Sequence, residues 1–143
     1  DSLYIPALRH CLCHMEHMRT KQVGTSTNKG PAGVDVYLSI YGKLPDYYVT
    51  HGTAEDAGWV NWKGNLDSIL PGKAIGGDTY VNRRGRLPIK NGRNRDEADI
   101  DYTSGYRNQS RILYSNDGLM FVTYDHYETF YALTKEGDMY VSL

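Results

Sequence analysis

The chain has 143 residues, 40% of them hydrophobic and 23% charged, with 15 glycines, which suits one compact domain able to bury a core without disulfide or metal staples. A net charge of −1 excludes a uniformly basic nucleic-acid coat. No apolar run approaches the roughly 18 residues of a membrane span, so no membrane partner is expected.

The chain opens on Asp1 with no signal pattern, and reads as a processed or excised piece. His10, Cys11, Cys13, His14 and His17 crowd the first 24 residues before a loop marked by Gly24, Ser26, Gly30 and Pro31. Residues 1–24 are therefore expected to be a flexible or helical leader and 25–143 the folded domain. The Cys-x-Cys spacing lacks the distant second ligand pair of a zinc site, so no metal is assigned there. Two cysteines so close suit reduced thiols or intermolecular pairing.

Val34, Tyr37, Leu38 and Tyr41 fall on one face of a short helix that ends at Gly42. Thr50 is placed to cap a second helix and Gly58 to stop it. Asn65 begins a third, halted at Pro71-Gly72. The second half turns to short β-rich runs at 75–81, 98–102, 111–114, 119–124 and 129–133, with Asn116-Asp117-Gly118 as a hairpin turn between two of them. Helices first and strands after predict an α+β fold with N-terminal helices on a twisted antiparallel sheet.

Charge is unevenly spread. Arg83, Arg84, Arg86, Lys90, Arg93 and Arg95 lie in a stretch without an acid, and Asp96, Glu97, Asp99 and Asp101 follow directly. No nucleophile elbow or P-loop is present. What remains is Glu97, the pair Arg107 and Arg111, and His126. Each alone is weak, but together they suit RNA cleavage, because RNA carries its own nucleophile, the 2′-hydroxyl. An enzyme then needs a base for that proton, an acid for the leaving 5′-oxygen, and cations for the phosphorus oxygens. A carboxylate, an imidazolium and two guanidiniums supply these, and no metal or other cofactor is required.

Several segments resemble the barnase-type bacterial guanyl-preferring ribonucleases in a single register from about Thr25 to about Leu133. They include Lys43 to Thr50, Gly58-Trp59-Val60, Lys63 to Leu66, Pro71 to Asp78, Glu97 to Ile100, Tyr102 to Asn108, Arg111 to Ser115 and Asp125-His126-Tyr127. The resemblance implies Glu97 as general base, His126 as general acid and Arg107 with Arg111 as phosphate ligands. It implies electrostatic support from Asp78 and Asp99. It also implies a base-binding region of Tyr80, Asn82, Arg83 and Tyr127, with RNA across the open sheet face.

Two positions depart from the family. His51 stands where the family has an active-site lysine, which predicts lower activity or a steeper pH dependence. Arg84 stands where the family has a glutamate that accepts hydrogen bonds from guanine. A cation offers no acceptor, so base preference stays open and Arg84 is placed against phosphate. The expected activity is endonucleolytic transesterification of single-stranded RNA through a 2′,3′-cyclic phosphate. The alternative is a catalytically impaired homologue that binds RNA or an inhibitor. The resemblance further implies an acidic barstar-like inhibitor or immunity protein as partner, a monomeric enzyme, and secretion or delivery into a target cell as a toxin domain.

Overall fold

The computed structural model describes residues 17–24, 27, 33–135 and 140–142. In chain order it contains β1 (His17–Gln22), α1 (Gly33–Tyr41), β2 (Tyr48–Val49), α2 (His51–Asp56), a 3-10 turn (Asn61–Lys63) and α3 (Leu66–Ile69). The strands β3 (Ala74–Thr79), β4 (Arg95–Asp99), β5 (Arg111–Ser115), β6 (Met120–Thr123), β7 (Tyr131–Thr134) and β8 (Tyr140–Ser142) follow. All eight strands join one sheet in the order β2-β3-β4-β5-β6-β7-β1-β8. Pairing is antiparallel from β3 through β7 and between β1 and β8, but parallel for β2 with β3 and β1 with β7.

The three expected helices form, for reasons close to those read from sequence. Thr50 caps α2 by accepting from the Thr53 amide at 3.3 Å. Asn65 acts differently. Its side chain makes no cap; it accepts from the Val60 amide at 2.8 Å and donates to the Gly58 carbonyl at 3.2 Å, stitching the segment before α3. The Asn116-Asp117-Gly118 turn is as expected, with Gly118 at a φ of 91° and Ser115 N donating to Leu119 O at 2.9 Å.

Two strand expectations shift. Residues 17–22, assigned by sequence to a leader, form β1, with Thr20 opposite Ala132 of β7 and Met18 buried in the core. A stretch that polar carries little strand signal of its own, and neighbour pairing decides it. The rest of the Cys/His run, residues 10–16, lies outside the described residues. Strand β4 begins at Arg95, inside the charged stretch, because each of its residues to Asp99 has a partner in β5; it stops where Asp101 takes a φ of 62°.

The core lies on both faces of the sheet. Val34 and Leu38 of α1 pack against Ala98, Ile112 and Val122 on one face. Met18, Leu87, Leu113, Phe121, Phe130 and Ala132 form the cluster on the other. Ala54, Trp59 and Leu66 pack the short helices onto Ala74, Ile75 and Tyr102.

Candidate active site

Cross-strand partners share a sheet face. Glu97 opposite Leu113, and Asp99 opposite Arg111, therefore put the base candidate, its neighbouring aspartate and one arginine on the face away from α1. A bulge adds Asp78 to the set. Gly76 pairs with Ala98, Gly77 at a φ of 100° takes the extra position, and Asp78 lands opposite Glu97. Gly76 must lack a side chain, since a Cβ there would sit 2.5 Å from Tyr48 Cδ1 and 2.8 Å from the Ala98 Cβ.

Asp99, 1% exposed, is the hub of the cationic half. Arg107 grips it in bidentate fashion, Nε and one terminal nitrogen each donating at 2.7 Å. Arg111 Nε lies 3.1 Å from the same carboxylate as an ion pair, off the line of a hydrogen bond. Its terminal nitrogen donates to the Asn108 and Ser110 carbonyls, both at 2.8 Å. Burial works most strongly against the Arg107 charge, yet the hydrogen bonds to Asp99, its negative charge, and the nearby Tyr127 and Glu97 together outweigh it and hold the guanidinium pKa above its ordinary value. Arg107 is therefore a fixed cation.

His51 sits beside them. Its Nδ1 is 2.6 Å from Asp78 Oδ2, and its Nε2 is 3.0 Å from an Arg107 terminal nitrogen. A guanidinium can only donate, so Nε2 accepts and Nδ1 carries the hydrogen toward Asp78. Both ring nitrogens are thereby occupied by protein, and His51 orients Arg107 rather than offering a free cation as a lysine would. The indole of Trp59 closes this side, 5.5 Å from the His51 ring and 6.0 Å from the Arg107 guanidinium carbon.

Glu97 accepts from the Tyr127 hydroxyl. Burial, and then this bond to Glu97, push the Tyr127 pKa up, so the phenol stays a donor. His126 and Tyr127 take φ values of 57° and 75°, two adjacent non-glycine residues in the left-handed region. Asp125 stabilises that turn by accepting from Thr123 Oγ1 at 2.9 Å, Thr129 N at 2.9 Å and Thr129 Oγ1 at 2.7 Å. Those Thr129 contacts hold the Asp125 carboxyl at about 2. His126 is exposed, its amide donating to Gln109 O at 3.0 Å, so the loop before β5 and the turn after β6 are tied together.

A cleft of about 340 Å³ opens beside this turn, lined by Tyr80, Arg83, Arg84, Arg86, His126 and Glu128 among others. Tyr80 and Tyr127 form its aromatic wall, stacked with centroids 5.5 Å apart and planes at 17°. Arg83 and Arg84 are exposed at its rim, while Arg86 donates to the Tyr127 and Glu128 carbonyls and joins the two walls. Asn82 is not among the residues lining this cleft. Its amide donates to Leu87 O at 2.8 Å and accepts from Leu87 N at 3.2 Å, bracing the loop from within. Among the described residues no three His, Cys, Asp or Glu side chains converge to hold a metal ion.

The ribonuclease family profile matches residues 33–134. A ribonuclease of Heyndrickxia coagulans is 54% identical over 98 residues, covering 68% of this chain and 90% of that protein. Ribonucleases of Bacillus intermedius and Bacillus pumilus are each 54% identical over 98 residues, and there the match spans 60% of the relative's length. The chain belongs to the ribonuclease family. It is an endoribonuclease of the barnase-like kind, with RNA as its substrate.

In this ribonuclease the sequence-derived residues fall into two linked groups: Asp78, His51, Arg107, Asp99 and Arg111 in one, Glu97, Tyr127, Tyr80, His126 and the loop arginines in the other. Sequence reading missed Asp125, whose Thr123 and Thr129 partners sit two before and four after it, a recognisable turn signature. It also missed Arg86 and the Tyr48 hydroxyl, which donates to the Asp99 carbonyl at 2.6 Å; neither carries a local signal.

Proposed function

We propose that this ribonuclease cleaves single-stranded RNA by metal-independent transesterification to a 2′,3′-cyclic phosphate, with Glu97 as base and His126 as acid. The observation that carries the reading is the common face of β4 and β5. There a carboxylate lies two residues from the aspartate that holds two fixed guanidiniums, and an imidazole is presented from a strained turn beside them. Glu97 removes the 2′-hydroxyl proton, and the Tyr127 phenol keeps its carboxylate oriented. Arg107 and Arg111 stabilise the charge that gathers on the equatorial oxygens, and His126 protonates the departing 5′-oxygen. His51 and Asp78 position Arg107. The finer architecture belongs to the same reading: helices on one face of a twisted sheet, RNA across the other, and the base 5′ to the scissile phosphate in the Tyr80–Arg84 cleft.

The test is cleavage of a set of dinucleoside phosphates by wild type, Glu97→Ala and His126→Ala, with and without EDTA. A cyclic phosphate product, losses of about 10²–10⁴-fold in each variant, and rates unmoved by EDTA are expected. Wild-type protein that binds RNA but leaves every substrate intact overturns the reading.

We further propose an acidic inhibitor protein as partner, since Arg83, Arg84 and the phosphate-binding arginines present complementary charge. An enzyme that destroys RNA is tolerable to its producer only when exported or inhibited, which supports secretion or delivery as a toxin domain. Tight, salt-sensitive binding of an acidic protein that competes with RNA is the expected result; RNA-independent binding elsewhere on the surface refutes it.

A further inference from the structure

Among the described aromatic side chains that stand outside the core are Trp62 and Tyr106, the second of them next to Arg107 in the chain. Trp62 is 74% exposed and Tyr106 is 67% exposed. Both are tied to one glycine, Trp62 through the chain and Tyr106 through space. Gly64, at a φ of 60°, ends the 3-10 turn that carries Trp62, and the Tyr106 ring lies directly on it. A Cβ at Gly64 would meet three Tyr106 ring atoms at 3.1 Å, so the ring lies close against this left-handed glycine. The backbone behind Tyr106 is held by the buried Tyr102, whose hydroxyl donates to the Gly105 carbonyl at 2.8 Å. Lys63 stands 5.3 Å from the Trp62 ring centre, adding a cation beside the aromatic surface.

The position relative to the reacting centre gives this surface its meaning. Along β4, Arg95 anchors the base loop, its carbonyl accepting from Tyr80 N at 2.8 Å; Glu97 follows, then Asp99 with Arg107. Tyr106 is the residue before Arg107. Tyr106 therefore stands on the Arg107 side of the site, and neither exposed aromatic lines the Tyr80–Arg84 cleft. Exposed rings beside a lysine and next to a phosphate-binding arginine have the composition of a stacking platform for single-stranded nucleic acid.

We propose that Trp62 and Tyr106, with Lys63, form an additional subsite that stacks an unpaired nucleobase of the RNA flanking the scissile phosphate, without regard to its identity. The subsite rests on the chain being a ribonuclease, and not on the assignment of base and acid. It binds only substrates longer than a dinucleotide, so it acts on kcat/KM through substrate length.

The experiment compares a dinucleoside phosphate with oligonucleotides extended by two residues on the 5′ or the 3′ side. Wild type gains kcat/KM on one extension. Trp62→Ala and Tyr106→Ala are each expected to cut that gain about tenfold, and Trp62→Phe to keep most of it, because any aromatic face stacks. A 2′-deoxy tetranucleotide, which lacks the nucleophile, is the binding probe. It is expected to quench tryptophan fluorescence in wild type and much less in Trp62→Phe. An unchanged length gain in Trp62→Ala, or equal quenching in Trp62→Phe, overturns the proposal. Wild type that cleaves nothing yet shows Trp62 quenching upholds the platform and removes the chemistry proposed above instead.

Discussion

Replacing Asp99 by asparagine isolates the group on which the cationic half of the site depends. The carboxylate is 1% exposed and takes two charge-assisted hydrogen bonds from Arg107 at 2.7 Å, with Arg111 Nε at 3.1 Å. Asparagine keeps the shape and one acceptor oxygen but turns an NH₂ toward a guanidinium. It also leaves two positive charges facing each other without a counter-ion, one of them on an arginine only 4% exposed. A hydrogen bond to a charged group contributes about 1.5–3 kcal/mol, and removing one partner of a buried pair costs about 3–5 kcal/mol. One bond is partly retained, so a loss of about 3 kcal/mol is expected, or about 10 °C in Tm for a chain of this size. Urea unfolding at pH 7, followed by tryptophan fluorescence, measures it. The loss is expected to persist in about 0.5 M salt, because buried charges are poorly screened. Activity falls as well, since Arg107 loses the fork that aims it. A urea midpoint unchanged in Asp99→Asn, or a loss abolished by salt, would refute the assignment of Asp99 as the buried hub.

Other substitutions probe the scaffold around the site. Gly76→Ala places a methyl 2.5 Å from a Tyr48 ring whose hydroxyl is tied to the Asp99 carbonyl, so a loss of about 1–3 kcal/mol is expected by urea titration, with reduced activity as Asp99 shifts. Met18→Ala, in β1, removes a core side chain only 7% exposed and should cost about 2 kcal/mol; an unchanged midpoint would mean that residues 17–22 lend the domain nothing. The Asp117 carboxyl is held at about 2, first by Arg93 and then by Ser115. Its folded pKa lies below the unfolded value of about 3.9, so its contribution is complete above about pH 4 and disappears as pH falls through 2. The gap in urea midpoint between wild type and Asp117→Asn should therefore be open at pH 6 and closed near pH 2.

Local chemistry makes much of this protein legible from its residues alone. The 3.6-residue spacing of Val34, Tyr37, Leu38 and Tyr41, the Thr50 cap and the Asn116-Asp117-Gly118 turn act over a few residues; the helix, cap and turn form as expected, with Val34 and Leu38 buried and Tyr41 left 61% exposed. The candidate chemical groups Glu97, His126, Arg107 and Arg111 are likewise named by residue type and register with a family. Their assembly is another matter. That Glu97 and Asp99 share a face with Arg111 follows from strand register, and that Asp78 joins them follows from a one-residue bulge at Gly77. That His51 has both ring nitrogens occupied depends on partners 27 and 56 residues away. Strand β1, in a polar stretch without strand signal, exists through its pairing with β7, more than a hundred residues on in the chain. Turns, caps and helix faces are decided by neighbours in sequence. Register, ion-pair hubs and strands without a signal of their own are decided by neighbours in space, and those exist only once the sheet has formed.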